Sequence, residues 1–504
     1  MSGAAVPKRV VILGGGTAGW MAAMLFNHYW APKGAQITLV ESKDIGIIGV
    51  GEGSTPQLKH FFETMGIAEA EWMPRCNATY KAGIEFVGWS ERPGYARYFH
   101  PFSTEIDGHT AGQFFHHALL RRNGRDVPAH PDDWFLPTII ARQHRAPLSP
   151  PNFPFDVSYG YHFDSYLVGD LLRDVATERG VTRIEATIDN VELSDDGNIA
   201  ALIASDVSRI EGDFFIDASG FRAALIEAAL GEPHIDFADN LFNDRAVVMP
   251  TEVPADGPQA ATRATALSAG WAWHIPLTNR SGNGYVYSSR YISDADAESE
   301  LRAHTGAGPE VEARFLKMRV GRVERSWVKN CLAVGLAQGF IEPLEATALH
   351  IVMATVEGFV EQVDRDGMAD AARTAFNERI AWRYEGIRDY IVCHYRAAQR
   401  RDTPYWRDAT SNDHLSDSLK RLFTAWFTGE DFAEEIRQQK IEGAYSPISW
   451  HCLMAGYGNF PDQAKLRPLE PALKAADMAE IRRFIDGCAS NYPMHTDALA
   501  KLSA

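Results

Sequence analysis

Several things are scarce in this chain, and each scarcity excludes something. Cysteine is rare: Cys76, Cys331, Cys393, Cys452 and Cys488 are odd in number and scattered, with no CxxC pair. That spacing offers neither a disulfide framework nor a thiolate zinc site, and no metal is expected. Reduced thiols in a cytosol fit it best. No run of 18 apolar residues occurs, and no apolar leader precedes the first predicted strand. A membrane span and a secretory signal are therefore not expected, and the chain reads as soluble and cytoplasmic. Positive charge is short as well: 49 basic residues face 66 acidic ones, a net charge of −17 spread along the chain. Such a surface disfavours polyanions, so no nucleic-acid partner is expected. Internal repeats and low-complexity tracts are also missing.

What is present is a large α/β enzyme pattern. The 504 residues are 45% apolar, ample for a buried core, and at about 150 residues per domain the length alone would suggest three domains. A β-branched run at 9–14, helical spacing over 17–30 and a second strand at 36–41 make a compact βαβ opening. Between strand and helix stand Gly14, Gly16 and Gly19, a GxGxxG turn followed through Thr17 and Ala18 into the helix. Glycines there permit a tight turn and let backbone N–H groups approach a pyrophosphate at the positive end of the helix. Glu41, 22 residues after Gly19 and at the end of the second strand, is placed to accept from a ribose hydroxyl.

Farther on, residues 46–56 (GIIGVGEGSTP, with Gly49 and Val50) form a glycine-rich loop, and a strand over 82–89 has Lys81 at its entry. Prolines interrupt 91–156, which reads as an excursion from the nucleotide domain. A helix near 164–179 returns the chain to strands at 183–188, 199–205 and 213–218, the first two separated by a polar turn at 195–198. A mixed sheet is expected around 246–289. From 347 onward the pattern is mostly helical, including the charged stretch 370–400. Residues 213–222 (DFFIDASGFR) enter a Ser-Gly turn like the second fingerprint of FAD monooxygenase-type folds. Residues 331–337 (CLAVGLA) resemble the strand that brings Gly335 and Leu336 to a flavin's ribityl chain, although an aspartate usually stands where Leu336 does. The dinucleotide signal occurs once, so one cofactor, FAD, is expected and no second NAD(P)H domain. In GLAQGFIEPLEATALH (335–350), Glu345 follows this loop at the mouth of a helix. In GWAWHIP (270–276), Trp271 and Trp273 alternate and share one face of a strand, for which core packing is the plain alternative. His274 within it reads as a satisfied structural histidine.

Taken in order, GxGxxG, GVGEGSTP, YKAGIEFVGW (80–89), WxWxIP, FIEPLEAT (340–347) and the segment 376–395 resemble the flavin-dependent halogenases of the tryptophan halogenase family. The resemblance spans most of the chain. It implies an FAD-binding, monooxygenase-like (Rossmann-type) α/β domain with a mixed substrate sheet and a C-terminal helical cap. The expected division is 1–346, with inserts at roughly 91–156 and 240–290, and a helical subdomain, 347–504, completing the substrate pocket.

The resemblance also implies a chemistry. Reduced FAD, supplied by a separate flavin reductase, reacts with dioxygen and a halide, chloride or bromide. Hypohalous acid results and passes through a tunnel to a lysine beside an aromatic substrate, an indole or tryptophan-like compound. Lys81 matches that lysine. As an ammonium it would hydrogen-bond and polarise the oxidant, and as a free amine it would form a haloamine. Glu345 matches the essential glutamate, which either holds the halogen in line or takes the proton from the cationic ring, with helix capping as an alternative. Halide is expected at the N–H groups of Thr347 and Ala348, where relatives commonly have glycine in place of Ala348. His100 and Phe102, together with Trp450 and Pro343, are expected to grip the substrate ring. Trp271, Trp273 and Pro276 are expected to keep it from the flavin. Residues 445–460 show no match to the tyrosines and acid that grip free tryptophan, so a simple indole or another electron-rich aromatic is as well accommodated. Two other readings share parts of this pattern: an aromatic hydroxylase and a redox-sensing flavoprotein. A homodimer is a further expectation.

Overall fold

In a computed structural model of the protein, residues 6–43, 51–469 and 474–502 are described. The chain forms two compact units, each assembled from three separate stretches. One comprises Met1–Cys76, Phe163–Ala238 and Arg319–Glu385, and the other Asn77–His162, Asp239–Met318 and Gly386–Ala504. A boundary at 346/347 therefore falls inside the first unit.

The first unit is built on a six-stranded sheet. The strands Arg9–Leu13, Gln36–Glu41, Thr182–Glu185, Phe214–Asp217 and Cys331–Ala333 run parallel, and Trp327–Val328 closes one edge antiparallel. The inner strands are apolar runs without alternation, as strands covered on both faces must be. The helix Thr17–Trp30 buries Trp20, Met24, Leu25, Phe26 and Trp30. Helix Ser165–Glu178 packs beside it, begun by Asp164, whose carboxylate accepts from the N–H groups of Tyr166 and Leu167. The strand expected at 183–188 is two: Thr182–Glu185 in this sheet, and Ile188–Leu193, which pairs antiparallel with Ile199–Ala204 across the polar turn.

The second unit is organised by a seven-stranded mixed sheet. Gly270–Pro276 lies at its centre between Thr262–Leu267 and Ser281–Tyr287, and Gly83–Val87 followed by Arg97–Pro101 form one edge. The strand expected over 82–89 is Gly83–Val87, but Lys81 does not stand at its entry: it ends a separate strand. Thr79–Lys81 separates from Gly83–Val87 and pairs instead with Gly160–Phe163. Residues 91–156 are more regular than their prolines suggest, holding the helices Gly108–Arg122 and Leu136–Arg142. Pro137 stands in the first turn of the latter, where its missing N–H costs nothing. Beyond 347, α-helices carry most of the chain, led by Ala348–Asp366 and Asp370–Ala397. Among the described residues no helix is long and apolar enough to cross a membrane.

Candidate functional site

In the first unit three glycine-bearing turns leave the carboxyl ends of three adjacent parallel strands: 14–19 after Arg9–Leu13, 218–220 after Phe214–Asp217, and 334–337 after Cys331–Ala333. That edge is where open α/β sheets bind nucleotides. Each glycine of the first turn has its own reason. Gly14 has φ +120°, and a Cβ there would lie 2.2 Å from the carbonyl oxygen of Ala218. A Cβ on Gly19 would lie 1.9 Å from Gly14 O, so the helix can press on the turn only with glycine there. At Gly16 nothing lies within 4 Å of an added Cβ. This is open space before the N–H groups of a helix start, suited to a pyrophosphate. Gly335 has φ +61°, and its Cβ would come 2.8 Å from that of Ala18, which brings the third turn against the first. The residues present thus fit a dinucleotide.

Glu41 accepts from Trp20 Nε1 at 3.3 Å and from Arg183 Nε at 2.5 Å. A Cβ at Gly15 would lie 1.6 Å from its Oε2, so Gly15 belongs to this arrangement although the fingerprint does not require it. Asp217 holds the Ser-Gly turn. Its fully buried carboxylate accepts from Ser219 N and Oγ at 3.0 and 2.6 Å, and from the N–H groups of Leu225 and Ile226 at 2.7 and 2.8 Å. Burial raises its pKa, against the pull of those donors. Leu336 is half-buried in the third turn, and Gly49 and Val50 lie outside the described residues.

Also in this unit, Pro343–Glu345 forms a single 3₁₀ turn, and Ala346 follows in the left-handed region at φ +54°. That reversal delivers Thr347 to the start of helix Ala348–Asp366 and leaves Glu345 only 5% exposed. Thr347 is buried and Ala348 exposed. One turn on, His350 Nε2 stands 3.4 Å from an Arg383 nitrogen, and burial followed by that charge lowers its pKa to about 4.

The second unit gathers Lys81, His100, Phe102 and Trp450, which are separate in sequence. Lys81 is wholly buried, its Nζ 5.3 Å from the centroid of the Phe102 ring. Phe102 N donates to Ala82 O at 3.1 Å, tying the two segments together. The edge strand Arg97–Pro101 is held by Asp132, whose carboxylate accepts from Phe99 N at 2.7 Å and pairs with Arg142. Tyr390 OH donates to Ser449 O at 3.1 Å, so its 3.3 Å contact with His100 Nε2 requires the imidazole to donate. The Tyr390 ring meets Trp450 edge-on at 4.7 Å and stacks on Tyr445 at 3.5 Å. Neither tyrosine was anticipated, and no local pattern marks them.

Trp271 and Trp273 are both buried, their centroids 6.1 Å apart. Trp273 lies against Gly284, its cross-strand partner, where a Cβ would fall 2.1 Å from the indole. His274 Nδ1 pairs with Asn283 Oδ1 at 2.8 Å, the structural histidine expected.

A nucleotide-binding edge in one unit and a buried lysine among aromatic rings in the other define a flavoenzyme, and similarity to known proteins specifies which class. A family model, tryptophan halogenase, matches residues 9–471, and the chain belongs to that family. It is a flavin-dependent halogenase, acting with reduced FAD and halide, and the hydroxylase alternative is not favoured. It is 36% identical over 496 residues to the tryptophan 6-halogenase SttH of Streptomyces toxytricini, covering 94% of this chain and 92% of that one. The crystal structure of SttH matches with a TM-score of 0.85 at 32% identity, over 98% and 99% of the chains. BrvH, a flavin-dependent halogenase from Brevundimonas sp. BAL3, matches with a TM-score of 0.84 at 34% identity, over 99% of each.

Proposed function

We propose that this enzyme halogenates an electron-rich aromatic, an indole or tryptophan-like compound, and that Lys81 passes the halogen to it. The observation that carries this is the complete burial of Lys81 beside Phe102. Taking a lysine amine out of water carries a desolvation cost, and buried titratable groups cluster at functional sites. The turns of Gly14, Gly16, Thr17, Ala18, Gly19, Gly335 and Leu336 would hold reduced FAD, with Glu41 at the ribose and Gly49 and Val50 as further cofactor residues; bound there, it would supply hypohalous acid from dioxygen and halide. Thr347 and Ala348 hold the halide. Lys81 takes up the oxidant and aims it, while Glu345 holds the halogen in line or accepts the proton lost from the ring. His100, Phe102, Trp450 and Pro343 clamp the substrate, and Trp271, Trp273 and Pro276 keep it from the flavin. The helical region from 347 onward completes the substrate pocket. A separate reductase delivers reduced FAD by diffusion, and the enzyme works in the cytoplasm, as a homodimer. Its five buried, free thiols agree with a reducing compartment.

Relatives named for tryptophan support an indole ring as substrate. The test is purified enzyme with FAD, a flavin reductase, NADH, bromide and indole, followed by mass spectrometry. Bromoindole with its isotope doublet is the expected product; hydroxyindole alone would refute the proposal.

A further inference from the structure

The strand that carries Lys81 is fastened by a directed chain of hydrogen bonds. Thr79 lies two residues before Lys81, on the same face of the strand, directly across from His162. The Thr79 hydroxyl donates to Pro276 O at 2.7 Å, which commits its only proton. His162 Nδ1, 3.0 Å from the same oxygen, must therefore be the donor in that contact. Burial, then the charge of Lys81, keeps His162 neutral, so its Nε2 is bare and accepts from Thr262 Oγ1 at 2.9 Å. The chain runs Thr262 to His162 to Thr79 to Pro276, every member accounted for, with both threonines and the histidine buried. Its endpoint is the proline closing the tryptophan motif. On the outer edge of the same strand, Tyr80 N donates to His495 Nε2 at 3.2 Å, and His495 Nδ1 is anchored on Pro258 O at 2.8 Å.

We infer that His162 is a positioning residue for Lys81: through Thr79 it locks the lysine strand to Pro276 and so fixes where the amine stands relative to the Phe102 ring. This rests on the role proposed for Lys81. No substrate contact is required of His162. A lysine free to shift by about 1 Å would lose its aim, at a cost on the order of 100-fold.

Two measurements test it. In 15N-histidine spectra of the protein without flavin, His162 should show the Nδ1–H tautomer, and Thr79→Val should abolish that pattern; an Nε2–H tautomer in the unsubstituted protein would overturn the inference. In turnover with bromide and indole, Thr79→Val and His162→Leu should cut bromoindole per flavin oxidised roughly tenfold or more. FAD affinity should be unchanged, and the missing oxidant should appear as free hypobromous acid caught by an added thiol. His162→Asn, which keeps a donor at the Nδ1 position, should recover part of the yield. Wild-type yield in both Thr79→Val and His162→Leu, or a loss that merely follows the folded fraction without leakage, would contradict a positioning role. Absence of bromoindole from the unsubstituted enzyme would instead count against the proposed function, with the tautomer still deciding the chain.

Discussion

Substituting Gly335 with alanine tests the flavin edge quantitatively. Two penalties act at this position. The residue sits at φ +61°, in the left-handed region, where a side chain costs about 1–2 kcal/mol. Its new methyl would also stand 2.8 Å from the Cβ of Ala18, far inside contact distance, and such overpacking costs about 1–3 kcal/mol. The sum is at least about 2 kcal/mol. The clash falls between the turn expected to meet the ribityl chain and the first turn of the helix expected to meet the pyrophosphate. Relief must come by parting those two turns, so FAD should bind more weakly, by roughly 30-fold if 2 kcal/mol is expressed in binding. Titration of the apoprotein with FAD, followed by flavin fluorescence, measures the affinity, and denaturant unfolding of the same sample measures any part taken from stability. Unchanged affinity together with unchanged stability would refute the reasoning, because the strain would then have no outlet.

Other perturbations bear on the remaining groups. Glu345→Gln should lower halogenated product roughly 100-fold with FAD affinity intact, checked by turnover and flavin titration; wild-type turnover would remove Glu345 from the chemistry. His495 has its pKa lowered to about 4, mainly by burial, so below its ordinary value of 6.5 the unfolded chain takes up a proton that the folded one refuses. Stability from this site is therefore lost as pH falls from 6.5 toward 4. In denaturant titrations the stability of wild type relative to His495→Gln should decline by about 1.4 kcal/mol per pH unit across that window, and a flat difference would contradict it.

Much of the first unit was legible in the sequence because its signals are local. The helix Thr17–Trp30 and strand Gln36–Glu41 have the bounds that their periodicity indicates, and GxGxxG lies in the turn between sheet and helix. The segment around Lys81 was harder. Its alternating pattern hides the break at Ala82, where the chain leaves one sheet for another. Alternation describes which face a residue takes but not which partner strand it chooses. The proline-interrupted stretch misled for a different reason: Pro131 and Pro137 begin helical turns rather than break them. His162, Thr79 and Tyr390 escaped altogether. Their partners are long-range, 83 residues away for the first pair and 290 for Tyr390 and His100, and no spacing rule reaches that far.

The most direct measurement is bromoindole formed per flavin oxidised, compared between the unsubstituted enzyme and Lys81→Ala at matched FAD occupancy. With Lys81 as the group that hands on the halogen, the variant should go on oxidising flavin while bromoindole disappears. Bromoindole at the wild-type ratio from Lys81→Ala would contradict it outright.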